Sequence, residues 1–488
     1  MLASSANDFA QQFKKCWSTE DQEHLAEDFL CLKKTVPHWL ENMNEGQISS
    51  LVKRHFSSQI QQDVFSQILE RDLCIAKQQF SSAFHHQRTL LDDLVQEGLE
   101  WAVSLFMFVL TDLRKIATVA DNILAKERQP PKHLEETAML LYSKYFSLCN
   151  KDRSEFSISR KRAILHIVNN TLKICSKINN TQIPHNLLRS TSAPGFPALE
   201  LFPLSQQVTY KYYCGRFYLF ESKYQQAEQD LDFAFRNCPD GGGPTGNVEL
   251  FKNKQLILLY LIPLRMLRLK MPSAALLGKY QMKWFVEIRN AVIAGDVKRL
   301  NDSIKQHEEF FIRAGIYLIL LQLETLTFRQ LFKRIISVIG GTNISLGVLS
   351  DVLVELGFKE FAGVPVSSLV SSSSSSASSS ASSSSSMLSS TSPAPFQSTS
   401  SQQASFPASS AAPSPLPLPS PSPSPSPLPS PAASTSAASM MRYDELECQL
   451  ALLIAQKYIK GFIHHERRIL VISKDTPFTP LKVLAQRL

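Results

Sequence analysis

Apolar residues return every three to four positions through the first part of the chain. Ile48, Leu51, Val52, Phe56, Ile60, Val64, Phe65, Ile68 and Leu69 line one helix face, and Leu90, Leu91, Leu94, Leu99, Val103 and Phe106 continue the pattern. Pro130-Pro131 interrupts it; further helical runs are expected over His133 to Leu148 and Lys161 to Ile178. No stretch here alternates with period two, so residues 1–180 are expected to form an α-solenoid of N-terminal helical repeats. The prolines at 184, 194, 197 and 203 mark residues 180–205 as a loop.

Beyond that loop, Gly215, Tyr218, Tyr224, Ala227, Leu231, Ala234 and Pro239 keep the spacing of a tetratricopeptide-type (TPR-like) helical hairpin. Gly215 and Ala227 are small where two helices must cross closely. Ala234 faces the next helix, and Pro239 stops the second helix of the pair. One such hairpin cannot bury its own face and needs stacked neighbours. The glycines at 241–243 read as a linker, since no Lys-Ser/Thr pair follows to make a phosphate loop. Helices then resume from Val248, with Pro263 expected to kink or start one, so that residues 206–326 form the TPR-like part.

From Phe361 to Met441 there are 81 residues without a charge, dominated by Ser and Pro. Such a composition cannot bury enough apolar surface to offset chain entropy, and residues 362–441 are expected to be a disordered insert. After it, Leu446, Leu450, Leu453 and Ile454 mark one more helix, and Ile463 to Ile472 reads as a β-hairpin. Helices over Phe328 to Ile339, Ser345 to Leu356 and Asp444 to Tyr458, with that hairpin as wing, assemble into a winged helix. Its two pieces are 327–361 and 442–475, and the insert separates them. The fold class is therefore all-α, an α-solenoid of TPR-like repeats followed by a C-terminal winged helix.

Helical repeats that run into a winged helix resemble the PCI family, named for the proteasome lid, the signalosome and an initiation factor. The segments at 210–216, 226–228, 233–235, 259–263, 271–272, 310–318, 328–333 and 460–463 are similar to one branch of it, which serves messenger-RNA export at nuclear pores. The resemblance implies a large scaffold subunit and a small acidic subunit as partners, and a nuclear, pore-associated location with a further pool in the cytoplasm. A departure from the family is the Ser/Pro-rich insert, where its members have a short connection. The alternative within the family is an architectural subunit of a lid-like assembly that binds no nucleic acid.

Charge adds one element. The formal net charge is +8, and it is concentrated in the C-terminal half: residues 251–340 carry 15 Lys+Arg against 6 Asp+Glu. On the wing, Lys460, His464, His465, Arg467, Arg468 and Lys474 place cations on a protruding hairpin suited to the phosphate backbone of RNA or duplex DNA; Arg329, Lys333 and Arg334 on the preceding helix would extend the surface. Aromatic residues are scarce around the wing, which argues against base stacking.

No chemistry is expected. The chain lacks H-E-x-x-H, G-x-S-x-G and Walker patterns. Neither His85-His86 nor His464-His465 makes a good chelating pair, because adjacent side chains diverge on a helix or a strand. The eight cysteines, at 16, 31, 74, 149, 175, 214, 238 and 448, form no C-x-x-C pair and suit a reducing compartment. Hence no metal, cofactor or small-molecule substrate is expected. The apolar windows Trp101 to Leu110 and Leu256 to Leu267 are too short to span a bilayer, and no membrane role is expected.

Overall fold

Phe9, Phe13, Phe29 and Phe65 meet with ring centroids 4.7–5.9 Å apart and form the centre of the N-terminal core. The computed structural model describes residues 5–30, 32, 37–96, 100–242, 246–357, 444–480 and 483–484. It contains two compact units, Met1–Leu331 with Pro480–Leu488, and Phe332–Thr479. The Ser/Pro-rich insert expected at 362–441 lies outside the described residues.

Among the described residues of the first unit, the regular elements are all helices. Helices Gln59–Ala76, Phe80–Gln96 and Val103–Lys126 pack in succession, each burying the stripe that the sequence pattern marks. Beneath them Arg71 is completely buried. Its Nε donates to Asp72 Oδ1 (2.7 Å), and its Nη atoms donate to the Leu30 (2.9 Å) and Phe29 (3.2 Å) carbonyls and Gln87 Oε1 (3.0 Å). A buried guanidinium is tolerated only when its fork is filled in this way. The Pro130-Pro131 break is sealed from a distance. The Asp121 carboxylate accepts the backbone N–H groups of Lys132, His133 and Leu134 (2.9–3.1 Å), satisfying the orphan donors at the start of helix His133–Leu140.

Two expectations are corrected in this unit. Residues 180–205 are not simply a loop, since Gln182–Thr191 is a helix with Ile183, Pro184, Leu187 and Leu188 buried. Pro184 lies in its first turn, where a missing N–H costs no intrahelical bond. Of the two alternatives for Pro263, a place inside a helix is the one found, within Val248–Leu267. The N-terminal repeats and the TPR-like part, expected as separate domains, belong to one unit. Helix Ile164–Ile178 packs on helix Leu204–Phe220, and Asn169 Nδ2 donates to the Gln206 carbonyl (3.0 Å).

The helical hairpin forms as its small residues require. Helix Leu204–Phe220 crosses Tyr224–Asn237 so closely that a Cβ on Gly215 would lie 2.6 Å from Leu231 Cγ. Ala227 and Ala234 are fully buried, Tyr218 is half-buried, and Lys211 Nζ bonds Asp230 across the pair (2.7 Å). Helix Tyr224–Asn237 ends at Asn237, with Cys238 extended (ψ 128°) as the residue before Pro239 must be.

The second unit is a winged helix. It holds the C-terminal part of helix Leu323–Ile339, then β1 (Asn343–Ser345), helix Leu346–Glu355, helix Asp444–Ala455, β2 (Gly461–His464) and β3 (Ile469–Ile472). The sheet is antiparallel, in the order β1-β3-β2. The sequence reading anticipated the hairpin but not β1, which pairs Ile344 with Leu470 and buries both.

Candidate nucleic-acid interface

The wing is held by its central strand. Leu470 and Ile472 point into the core, while β2 and β1 flank β3 on either side. Gly461 is required at the start of β2, because a Cβ there would lie 2.2 Å from the Val471 carbonyl oxygen. Four residues, His465 to Arg468, connect the strands. Arg468 takes the left-handed conformation (φ 52°), its N–H donates to the His465 carbonyl (3.1 Å), and its own carbonyl accepts from Leu346 N (2.9 Å). The tip is thereby fixed to the end of β1.

Of the predicted cations, Lys460, His465, Arg467 and Lys474 are exposed, and His464 and Arg468 are half-buried. Lys460 Nζ donates to Thr476 Oγ1 (2.9 Å), which leaves it at the surface. His465 is engaged within the protein. Its Nδ1 lies 2.6 Å from Glu447 Oε2, and that hydrogen bond, with the carboxylate charge, raises its pKa above the ordinary histidine value. Lys457 was missed in the sequence. It is exposed and left-handed (φ 61°) between helix Asp444–Ala455 and β2, a position that no periodicity marks.

On the helix before the wing, Lys333 and Arg334 are exposed, but Arg329 is only 3% exposed and is withdrawn from the surface set. Leu326, Thr327, Phe328 and Arg329 are buried in succession, so the helix is enclosed on more than one face there. Arg329 instead donates to Gln330 Oε1 (3.1 Å).

The third helix of the winged helix limits what this surface can do. In groove-reading relatives of this architecture that helix enters the major groove. Here it begins Asp444-Glu445-Leu446-Glu447 and has no Lys or Arg among its residues. Those carboxylates suit the positive end of the helix dipole but would repel phosphate. Among the described residues, exposed positive charge comes from Lys333 and Arg334 and from the hairpin and its flanks, with four Lys+Arg against two Asp+Glu over residues 460–475.

Among the described residues no cluster of His, Cys, Asp and Glu could hold a metal ion, and no single helix is long and apolar enough to cross a membrane. Cys149 and Cys175 are buried free thiols whose pKa burial pushes up to about 12. The sequence pattern does not mark the apolar residues around Gly315 as surface. Phe220, which would touch a Cβ on Gly315, is 52% exposed, and Ile312 and Leu318 are 56% and 71% exposed.

Stacked helical hairpins followed in sequence by a winged helix, with open apolar side chains and no reactive constellation, describe a PCI scaffold subunit. No family model matches the chain. It is 33% identical over 276 residues to "PCI domain-containing protein 2 homolog" of Dictyostelium discoideum, covering 55% of this chain and 62% of that protein. With "PCI domain-containing protein 2" of Xenopus laevis it shares 30% identity over 387 residues, 79% of this chain and 74% of that protein. A third relative, "Protein CSN12 homolog" of Neurospora crassa, is 31% identical over 265 residues, 49% of this chain and 57% of that protein. The chain belongs to the family of PCI domain-containing protein 2.

Proposed function

We propose that this PCI subunit works in a nuclear, pore-associated messenger-RNA export assembly, docked on a large scaffold subunit and a small acidic one. In that assembly its wing adds backbone contacts to RNA or duplex DNA. The observation that carries nucleic-acid contact is the exposure of Arg467 at the hairpin tip and of Lys460 and Lys474 beside its strands. The export setting rests on the sequence resemblance to that branch of the family. Exposed Phe220, Ile312 and Leu318 give the helical unit apolar side chains that partners could cover.

Contact through the wing alone supplies affinity without sequence reading, because phosphates carry no sequence information. The test is to reconstitute the assembly and measure binding to RNA and duplex DNA of unrelated sequences across a salt series. Binding that falls linearly in log–log form, with a shared slope, is expected.

A second reading is an architectural subunit with no nucleic-acid role. It is favoured by one observation, the carboxylates Asp444, Glu445 and Glu447 at the head of the third helix. No binding by the reconstituted assembly at low salt would select it.

A further inference from the structure

Helix Val103–Lys126 and helix Ile164–Ile178 bring three basic side chains together inside the first unit. His166 Nε2 lies 2.8 Å from Thr111 Oγ1, and Arg114 Nε donates to Asn170 Oδ1 (2.8 Å). Lys173 follows two turns after His166 on the same helix. Arg114 and Lys173 are half-buried. Burial lowers the pKa of all three. It acts with Lys173 and Arg114 on His166, whose pKa falls to about 4, and with Arg114 on Lys173. Asp112, two positions before Arg114, acts on the Arg114 charge and is itself paired with Lys115 (2.7 Å). Among the described residues no ion pair reaches Lys173.

Lys173 lines a cavity of about 420 Å³ between helices Leu204–Phe220 and Val248–Leu267. Thr209, Tyr212 and Ile257 also line it, and Leu204 and Leu256 sit at its edge, 50% and 48% exposed. A desolvated amine without a counter-charge beside an open apolar cavity is complementary to a carboxylate carried by an apolar segment. The volume falls in the range of ordinary ligand pockets. The uncharged stretch 361–441 of this chain has no carboxylate side chain to offer. A nucleic-acid strand fits less well, since phosphate binding calls for a line of cations and this cavity has one amine, its other walls being aliphatic, aromatic or neutral polar.

We propose that the cavity is a docking site for a partner polypeptide, which places an Asp or Glu side chain on Lys173 and an adjacent aliphatic or aromatic side chain between Leu204 and Leu256. The site is built from the helical unit alone and is independent of the wing.

The test pans a short random peptide library against the full chain and measures the enriched sequences as synthetic peptides. Enriched peptides are expected to pair Asp or Glu with a Leu, Ile or Phe neighbour. They should bind Lys173→Met at least about tenfold more weakly than the unaltered protein. Lys173→Arg should retain binding, and Leu256→Ser should weaken it, so the outcome does not hang on the folding of a single variant. Charge reversal of Arg467 and Lys474 on the wing should leave peptide affinity unchanged. Enriched peptides without a carboxylate, or equal affinity for Lys173→Met, overturn the proposal. Displacement of the peptides by a short single-stranded RNA whose own binding needs Lys173 would make nucleic acid the occupant and overturn it as well.

Discussion

Glu447 Oε2 and His465 Nδ1 lie 2.6 Å apart, joining the third helix of the winged helix to the tip of its wing. Protonated His465 donates to that carboxylate, so its folded-state pKa lies above the ordinary value of 6.5. The sign follows from linkage. The contact contributes fully below the unfolded-state pKa and is lost as pH rises through the raised folded-state value. Both groups reach solvent, so the contribution is small and falls with added salt. A proton titration of the His465 ring by NMR should give a midpoint above 6.5, and Glu447→Gln should bring it down. An unchanged midpoint in the variant would mean that the pair does not form in solution.

Arg467 and Lys474 are the cations of the wing best placed to meet phosphate. Replacing both with Glu should weaken nucleic-acid binding by the assembled complex by about tenfold or more at moderate salt and flatten the salt dependence. Assembly should be unaffected, because both side chains are exposed. Loss of a partner subunit instead would make the wing a protein interface.

Gly461→Ala tests the wing's construction. The new methyl would meet the Val471 carbonyl and Ile472 Cα, which are backbone atoms that cannot rotate away. Overpacking of this kind costs about 1–3 kcal/mol. Amide exchange in β2 and β3 should accelerate, while helices of the first unit keep their protection.

Arg71→Met addresses the N-terminal core. Removing the guanidinium leaves the Leu30 and Phe29 carbonyls, Gln87 and Asp72 without their shared donor. Breaking a buried charged network in this way costs about 3–5 kcal/mol. Chemical denaturation should show the loss as a lower midpoint with an unchanged slope. A midpoint within experimental error of the unaltered protein would show that methionine packing compensates.

Much of the architecture could be read along the chain, for reasons visible at particular residues. Gly215 and Ala227 mark a close crossing because only small residues fit one, and the structure places Gly215 against Leu231. The helix Gln182–Thr191 escaped because Pro184 reads as a breaker unless its place in a first turn is known. β1 is three residues long, too short to show alternation, and its partner lies on the far side of the insert. Arg329 and Lys333, four apart, suggest one solvated face. Only tertiary packing reveals that the helix is covered at the first and open at the second. The meeting of Arg114 with Lys173 depends on how two helices pack, and no local spacing encodes it.

The sheet of the winged helix has a consequence for how the protein is made. Ser345 pairs with Ile469, so 124 positions of chain separate two residues that are neighbours in the finished sheet. At the usual pace of translation, the ribosome takes about 6 to 25 s to travel between them. Through that interval Ile344 has been synthesised but its strand partner has not, and its side chain, almost wholly enclosed in the finished fold, has no cover from β3. The helices up to Leu331 can pack on one another during synthesis while the winged helix waits. Completion of the wing therefore reports that translation has passed through the entire low-complexity stretch in frame. A nascent chain that stalls or shifts frame within the serine run would lack β2 and β3 and would present an unfinished domain to the cell's chaperones.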